Sequence, residues 1–196
     1  MIGSLNPAAL IGKLKKQNLR TVGTGNLGAT NTMLTFGKRI GIFVMLFDIF
    51  KSFAIVKIAA WIAPSSPWFP LASGVSAILG HCFPFYLNFK GGKGTAAFGG
   101  LVLAYNPLLF LFLLTTGILL MIIINHGIAL PLYAAVFFAV FVLINEQSRS
   151  SAAYAVLSSL IVVAKNKSSI IKAVRKEDTP VRTYIKTKLF HSTVSK

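Results

Sequence analysis

The chain has 196 residues, of which 55% are apolar and only 12% are charged, whereas ordinary soluble domains carry about 25% charged residues. Its 20 Lys and Arg residues outnumber 4 acids, which gives a formal net charge of +16. These values exclude an ordinary soluble domain. The basic excess favours an anionic membrane surface or an anionic substrate over nucleic acid, which we do not expect as a partner.

The first two apolar segments differ in length. Residues 1–12 are apolar but reach only about 18 Å as a helix, too short to cross a bilayer. They form a half-span, or the true start lies upstream. Residues 40–61 are long enough to span but contain Asp48 and Lys51, together with Lys57. Asp48 and Lys51 lie three residues apart on one helical face, where they can pair inside the span.

Three further apolar segments follow along the chain. Residues 58–89 are uncharged, with a proline-rich turn near their start. Residues 94–145 are uncharged as well and would measure about 78 Å as one helix, against a hydrocarbon core of roughly 30 Å. The chain must therefore fold back, and we expect breaks at Asn106-Pro107 and around Asn125. The last apolar run covers residues 152–164.

Together these segments predict an all-α, polytopic integral membrane helix bundle of about five to seven transmembrane helices. We expect a multi-pass membrane domain at 1–164 and a basic tail at 165–196. Lys and Arg concentrate in the loop that contains Arg20, in the loop that contains Lys90, and in the tail. The positive-inside rule therefore places these segments on the cytoplasmic side.

Two glycine-rich segments look like nucleotide-binding motifs but fail on context. Residues 23–28 match GxGxxG, yet a basic loop precedes them and an apolar span follows. Residues 91–95 place Gly94 where a P-loop needs Ser or Thr. Both segments can still bring backbone N–H groups and a Lys close to a phosphate. The alternative is that the glycines only permit turns and close helix packing while the lysines snorkel.

Three strings resemble the bacterial acyl-phosphate-dependent glycerol-3-phosphate acyltransferases. They are Gly-Thr-Gly-Asn-Leu-Gly-Ala-Thr-Asn at 23–31, Asp-Ile-Phe-Lys at 48–51, and Gly-His-Cys-Phe-Pro-Phe-Tyr-Leu-Asn-Phe-Lys-Gly-Gly-Lys-Gly at 80–94. The resemblance extends from about Gly3 to Glu177. It implies a multi-pass protein of the bacterial inner membrane that moves an acyl chain from acyl phosphate to the 1-hydroxyl of glycerol 3-phosphate.

The resemblance also implies the site residues. Thr24, His81 and Lys93 are the catalytic candidates, and no metal or other cofactor is expected. The phosphate-binding candidates are Gly25, Asn26, Gly28, Thr30, Asn31, Lys38, Lys90, Gly91, Gly92, Lys93 and Gly94. His81 can donate to a phosphate oxygen or orient a neighbour, but a lone His at a helix end is more often structural. Protein partners stay unassigned.

Several family positions are changed in this chain. Thr24 replaces a Ser, and Leu34 stands where the family has an Arg expected to bind phosphate, a role that Lys38 or Arg39 can take over. A Thr-Arg-Tyr motif with following serines becomes Thr115-Thr116-Gly117, then Leu119 and Ile122, and a family His and Asn become Asn166 and Ser169. These losses keep open the alternative of a weakly active or inactive homologue that acts as a membrane scaffold for lipid enzymes. A small anion transporter is a further alternative, and it would need polar or charged residues along a path through the bilayer.

Overall fold

The computed structural model describes residues 1–175 and 177, and this part of the chain is helical without strands. The α-helices are α1 (Pro7–Leu14), α2 (Ala29–Phe36), α3 (Lys38–Ile62), α4 (Phe69–Cys82), α5 (Thr95–Tyr105), α6 (Pro107–Ile124), α7 (Ala129–Asn145), α8 (Arg149–Lys165) and α9 (Lys167–Val174). Short 3-10 turns lie at Ile2–Ser4 and Phe85–Leu87. The prediction of an all-α bundle is confirmed.

The helix boundaries follow from local chemistry. Asn106 accepts a hydrogen bond from the backbone N–H of Leu109 (3.0 Å), and Pro107 occupies the first helical turn, so α6 starts afresh after α5. Asn125 ends α6 in the left-handed conformation, with a φ of 63°. The long uncharged segment therefore folds back at both predicted breaks.

Helices α3 to α8 form the bundle, and short connections make sequence neighbours antiparallel. Two segments of the described chain are long and apolar enough to cross a membrane, Phe69–Leu87 and Pro107–Ile124. Helix α3 is also long, at 25 residues, but it contains buried charged residues. On α6, Leu108 and Ile123 expose 79% and 68% of their surface. Apolar surface of this kind is what a lipid environment covers.

The N-terminal segment packs against the bundle and does not form a span of its own. A Cβ on Gly3 would lie 2.8 Å from the Cα of Ala77, and one on Gly80 would lie 2.9 Å from the carbonyl carbon of Gly3. The Tyr86 hydroxyl donates to the carbonyl oxygen of Ser4 at 2.7 Å. These contacts tie the start of the chain to the loop that follows α4.

Helices α3 and α5 are in backbone contact at Gly100. A Cβ at this position would collide with the carbonyl oxygen of Ile49 and would lie 2.9 Å from the Cβ of Ser52. A small residue at such a crossing lets two backbones touch, as is common between membrane helices. The contact fixes the middle of α3, which contains the charged pair predicted inside the span.

The loops divide between two ends of the bundle. One end, here called the loop face, holds loop 1 (residues 15–28), loop 2 (residues 83–94) and residues 125–128. The other end holds the uncharged residues 63–68 and the turn at 146–148, where the Tyr105 hydroxyl donates to Glu146 at 2.8 Å. The basic residues in these segments, in the adjoining helix ends and in α9 are Lys13, Lys15, Lys16, Arg20, Lys38, Arg39, Lys90, Lys93, Lys165, Lys167, Lys172 and Arg175.

The predicted tail at 165–196 lies largely outside the described residues. Its first part continues α8 to Lys165 and then forms α9. A domain boundary at 164 therefore stays a prediction.

Candidate active site

Loop 1 is organised around a fully buried amide, that of Asn31. Its Oδ1 accepts from the backbone N–H of Thr24 and its Nδ2 donates to the carbonyl oxygen of Leu19, both at 2.7 Å. Gly23 has a φ of 59°, and a Cβ there would collide with Asn31 Oδ1. The side chain of Asn31 therefore holds the loop in shape from within.

The other candidates in loop 1 and the start of α2 lie nearer the surface. Thr24, Gly25 and Thr30 are exposed, and Asn26 is half-buried. Gly28 is buried and precedes the first turn of α2, whose N–H groups have no partner within the helix. This end of α2 presents hydroxyl, amide and backbone donors suited to an anion.

Loop 2 turns back along the end of α4. The backbone N–H of Gly91 donates to the carbonyl oxygen of Cys82 (3.0 Å), and that of Gly92 donates to the carbonyl oxygen of His81 (3.2 Å). A Cβ on Gly91 would collide with the carbonyl oxygen of His81, and a Cβ on Gly92 would collide with Nε2 of its ring. Both glycines are therefore required by close packing, which places the following Lys93 beside the end of α4.

Replacing Gly92 by alanine should displace loop 2, because the added methyl group overlaps the His81 ring. Overpacking of this kind typically costs 1–3 kcal/mol, so we expect about that loss of stability and at least a tenfold loss of activity. The matched control is Gly127→Ala, where an added Cβ has no atom within 4 Å. Melting temperature and turnover measured for both variants check the prediction. Equal behaviour of the two would contradict it.

Lys93 contacts the C-terminal helices. Its Nζ donates to the hydroxyl of Ser169 on α9, and the Asn166 side chain lies 3.5 Å from the Lys93 carbonyl oxygen. Lys165 Nζ donates to the carbonyl oxygen of Cys82 at 3.2 Å and sits over the Phe83 ring. The end of α8 and the start of α9 therefore close over loop 2.

A buried cluster of ionisable groups lies beneath loop 2, between α3 and α4. Lys51 Nζ lies 2.6 Å from Asp48 Oδ1, 2.7 Å from the carbonyl oxygen of Leu5 and 3.0 Å from Nδ1 of His81. The three side chains expose 2–4% of their surface. The predicted pairing of Asp48 with Lys51 inside the span is confirmed.

The ring of His81 links the cluster to loop 2. Its Nδ1 lies 3.0 Å from Lys51 Nζ and 3.3 Å from Asp48 Oδ1, so it accepts from the ammonium group in one tautomer and donates to the carboxylate in the other. Its Nε2 faces Gly92. His81 therefore connects the buried ion pair to the glycines of loop 2.

The remaining candidates and changed positions are spread along the loop face and α6. Lys38 begins α3 and is exposed, as is Lys90, while Gly94 has a φ of 84° and precedes α5. Leu34 on α2 exposes 37% of its surface. The Thr116 hydroxyl bonds to the Tyr133 hydroxyl (3.0 Å) and to a carbonyl oxygen of its own helix, α6.

Two residues of the loop face were not among the predicted site residues, although the structure brings them to it. The sequence marked Ser169 only as a position that differs from the family, but its hydroxyl accepts a hydrogen bond from Lys93. Arg20 was read only as part of the basic first loop, yet its guanidinium reaches loop 2. Neither contact has a local sequence signal, because the partners are 76 and at least 67 residues apart.

Within residues 1–175 and 177, no cluster of three or more His, Cys, Asp or Glu side chains forms a metal site. The loop face presents basic side chains, hydroxyls, amides and backbone N–H groups. Such a set binds and orients anions.

The fold and the loop face define a polytopic, all-helical membrane protein with a basic surface at one end. The model of the glycerol-3-phosphate acyltransferase family matches residues 1–176. The chain belongs to that family.

Similar proteins include a glycerol-3-phosphate acyltransferase of Staphylococcus haemolyticus, 34% identical over 93% of this chain and 94% of its own length. One from Macrococcus caseolyticus is 42% identical over 58% of each chain. The crystal structure of PlsY (YgiH), an integral membrane glycerol 3-phosphate acyltransferase, in its glycerol 3-phosphate form superposes with a TM-score of 0.85 at 27% identity. That match covers 91% of this chain and 90% of the other.

Proposed function

We propose that this protein transfers an acyl chain from an acyl phosphate to the 1-hydroxyl of glycerol 3-phosphate, giving lysophosphatidic acid and inorganic phosphate. The observation that carries the proposal is that the two glycine-rich loops meet on one basic face. On that face Lys93 of loop 2 contacts Ser169 of α9. Both substrates are phosphates, so such a face gathers them and offsets their mutual repulsion.

The reaction requires the protein mainly to position the two substrates and to stabilise negative charge. The 1-hydroxyl oxygen attacks the acyl carbonyl carbon, the bond between that carbon and the bridging phosphate oxygen breaks, and phosphate leaves with the electron pair. The leaving phosphate accepts the hydroxyl proton. Because the acyl group is already activated, alignment and stabilisation of negative charge supply the catalysis without an acyl-enzyme.

The site residues divide into contacts and supports. Lys93 supplies the charge nearest the reaction, helped by Lys90 and Lys38, and Thr24 and Asn26 supply hydroxyl and amide contacts. The remaining candidates bind phosphate through their backbone N–H groups or shape the two loops, and they are Gly25, Gly28, Thr30, Asn31, Gly91, Gly92 and Gly94. His81 acts by holding loop 2 in place.

The loop face lies on the cytoplasmic side of a bacterial inner membrane in this proposal, and the acyl tail enters sideways from the bilayer. The concentration of Lys and Arg at that end of the bundle supports the orientation. The described bundle contains no ionisable side chain between Lys93 and His126 other than Tyr105. A charged path across the bilayer, which an anion transporter needs, has no support there.

A comparison of acyl donors tests the proposal. Purified protein is given glycerol 3-phosphate with either palmitoyl phosphate or palmitoyl coenzyme A, and lysophosphatidic acid is measured. We expect product only from the acyl phosphate. Product from the thioester alone would overturn the donor assignment, and a folded protein inactive with both donors would favour the scaffold alternative.

Restoring an arginine at position 34 should improve use of glycerol 3-phosphate. Leu34 is partly exposed on α2, the helix that begins at loop 1, so a guanidinium there can reach a bound phosphate. One charge-assisted hydrogen bond contributes about 1.5–3 kcal/mol, so Leu34→Arg should lower the KM for glycerol 3-phosphate about tenfold or more. Thr35→Arg, one position along the same helix, is the control. An unchanged KM in Leu34→Arg would mean that another cation already fills this role.

A further inference from the structure

Arg20 physically joins the two glycine-rich loops. Its Nη2 donates to the carbonyl oxygen of Leu87 at 2.8 Å and to that of Lys90 at 2.7 Å. The side chain is exposed and its partners are neutral carbonyls. The contact is therefore a bridge between backbones across the loop face.

The base of this bridge is fixed to loop 1. The Arg20 backbone N–H is held by Asn18 Oδ1 at 3.0 Å, and the preceding residue, Leu19, is buried. The Leu19 carbonyl oxygen accepts from the internal amide of Asn31. Arg20 therefore lies in a part of loop 1 that is held by internal hydrogen bonds, and its side chain extends from there to loop 2.

At its far end, the Arg20 side chain contacts a turn of loop 2 that has an unusual backbone conformation. Leu87 and Lys90 flank Asn88 and Phe89, which both have left-handed backbones, with φ values of 54° and 55°. Consecutive left-handed residues other than glycine are unfavourable and persist only where the surroundings impose them. The turn is closed by its own backbone bond from the N–H of Lys90 to the carbonyl oxygen of Leu87 (3.2 Å), and the Arg20 guanidinium adds a bond to the carbonyl oxygen on each side of the left-handed pair.

We propose that Arg20 is a positioning residue for the acyl-transfer site, acting through this turn and without contacting substrate. The turn immediately precedes residues 90–94, so its conformation sets where Lys90 and Lys93 enter the phosphate site. A lysine cannot replace it fully, because a guanidinium offers its donors in a fixed planar fork. The inference rests on the proposed function of the same site.

The first test compares Arg20→Ala with Lys13→Ala, which removes an equal charge from the exposed end of α1 on the same face. We expect Arg20→Ala to lower kcat/KM for glycerol 3-phosphate tenfold or more, and Lys13→Ala to stay within twofold of the parent. Arg20→Gln, which keeps an N–H donor, should fall between the two. Equal losses in Arg20→Ala and Lys13→Ala would reduce Arg20 to a bulk charge and overturn the proposal.

A second substitution separates positioning from direct binding of substrate. Glycine adopts a left-handed backbone without the Cβ penalty, so Phe89→Gly relieves most of the backbone strain in this turn, because Phe89 is the bulkier of the two left-handed residues. Phe89→Gly should recover at least threefold activity in the Arg20→Ala background and change the parent less than twofold. No recovery would mean that Arg20 contacts the substrate itself, and the proposal would be wrong.

Hydrogen exchange of residues 83–94 tests the bridge without relying on activity. Exchange should accelerate at least fivefold in Arg20→Ala and remain at the parental rate in Lys13→Ala. An inactive parent protein in which exchange still responds in this way would refute the proposed function but not the bridge. Unchanged exchange in Arg20→Ala would refute the bridge, whatever the activity.

Discussion

Replacing Lys93 by alanine is expected to abolish most acyl transfer, with a loss of at least a hundredfold in turnover. Lys93 is the cation that loop 2 presents next to α9, where its Nζ meets the Ser169 hydroxyl. Removing one group that stabilises charge in a transition state commonly costs a hundredfold to a thousandfold in rate. Turnover of palmitoyl phosphate and glycerol 3-phosphate by the variant measures the loss.

The control for Lys93→Ala is Lys167→Ala, which removes an exposed cation from the first turn of α9. It should retain at least half of the parental turnover, because an exposed and solvated charge contributes little at a distance. The melting temperature of Lys93→Ala should stay within a few degrees of the parent. Retention of more than a tenth of the turnover by folded Lys93→Ala would remove Lys93 from the phosphate site.

Replacing Lys51 by methionine should cause the largest loss of folding stability among these single substitutions. Asp48 exposes only 2% of its surface, and Lys51 is the closest partner of its carboxylate. Removing one member of a buried ion pair typically costs 3–5 kcal/mol, because a charge is left uncompensated. The carbonyl oxygen of Leu5 would lose its donor as well, and Nδ1 of His81, 3.3 Å from Asp48 Oδ1, would be the remaining neighbour of the carboxylate.

A double variant identifies the cause of that loss. Lys51→Met combined with Asp48→Asn removes both charges at nearly constant volume, so it should recover part of the stability lost in Lys51→Met. Denaturant unfolding in detergent, or the melting temperature where unfolding is irreversible, measures the difference. If the double variant is less stable than Lys51→Met alone, the uncompensated charge is not the main cost.

The sequence predicted the bundle well because its signals are local. Gaps between charges mark the spans, and Asn106-Pro107 and Asn125 terminate helices through their own backbone chemistry. The pairing of Asp48 with Lys51 followed from helical spacing alone. Each of these features depends on only a few consecutive residues, so it can be predicted from the local sequence.

The arrangement of the site could be predicted only in part. The glycine- and lysine-rich strings identified loops 1 and 2, but they do not show which side chains point into the protein and which point to solvent. Asn31 was predicted to contact phosphate from its place in the first string, and the string gave no sign that its amide also holds the backbone of loop 1 from within. Arg20 and Ser169 meet loop 2 only because the helices bring distant segments together. Such long-range contacts leave no periodic pattern in the sequence.

The most direct test of the account measures both products of the reaction at once. Purified protein in a lipidic phase is given palmitoyl phosphate and radiolabelled glycerol 3-phosphate, and lysophosphatidic acid and inorganic phosphate are followed together, with a known family member alongside. The account predicts equal amounts of the two products, both dependent on glycerol 3-phosphate. Release of phosphate without labelled lysophosphatidic acid, or no release from folded protein while the reference enzyme is active, would contradict it.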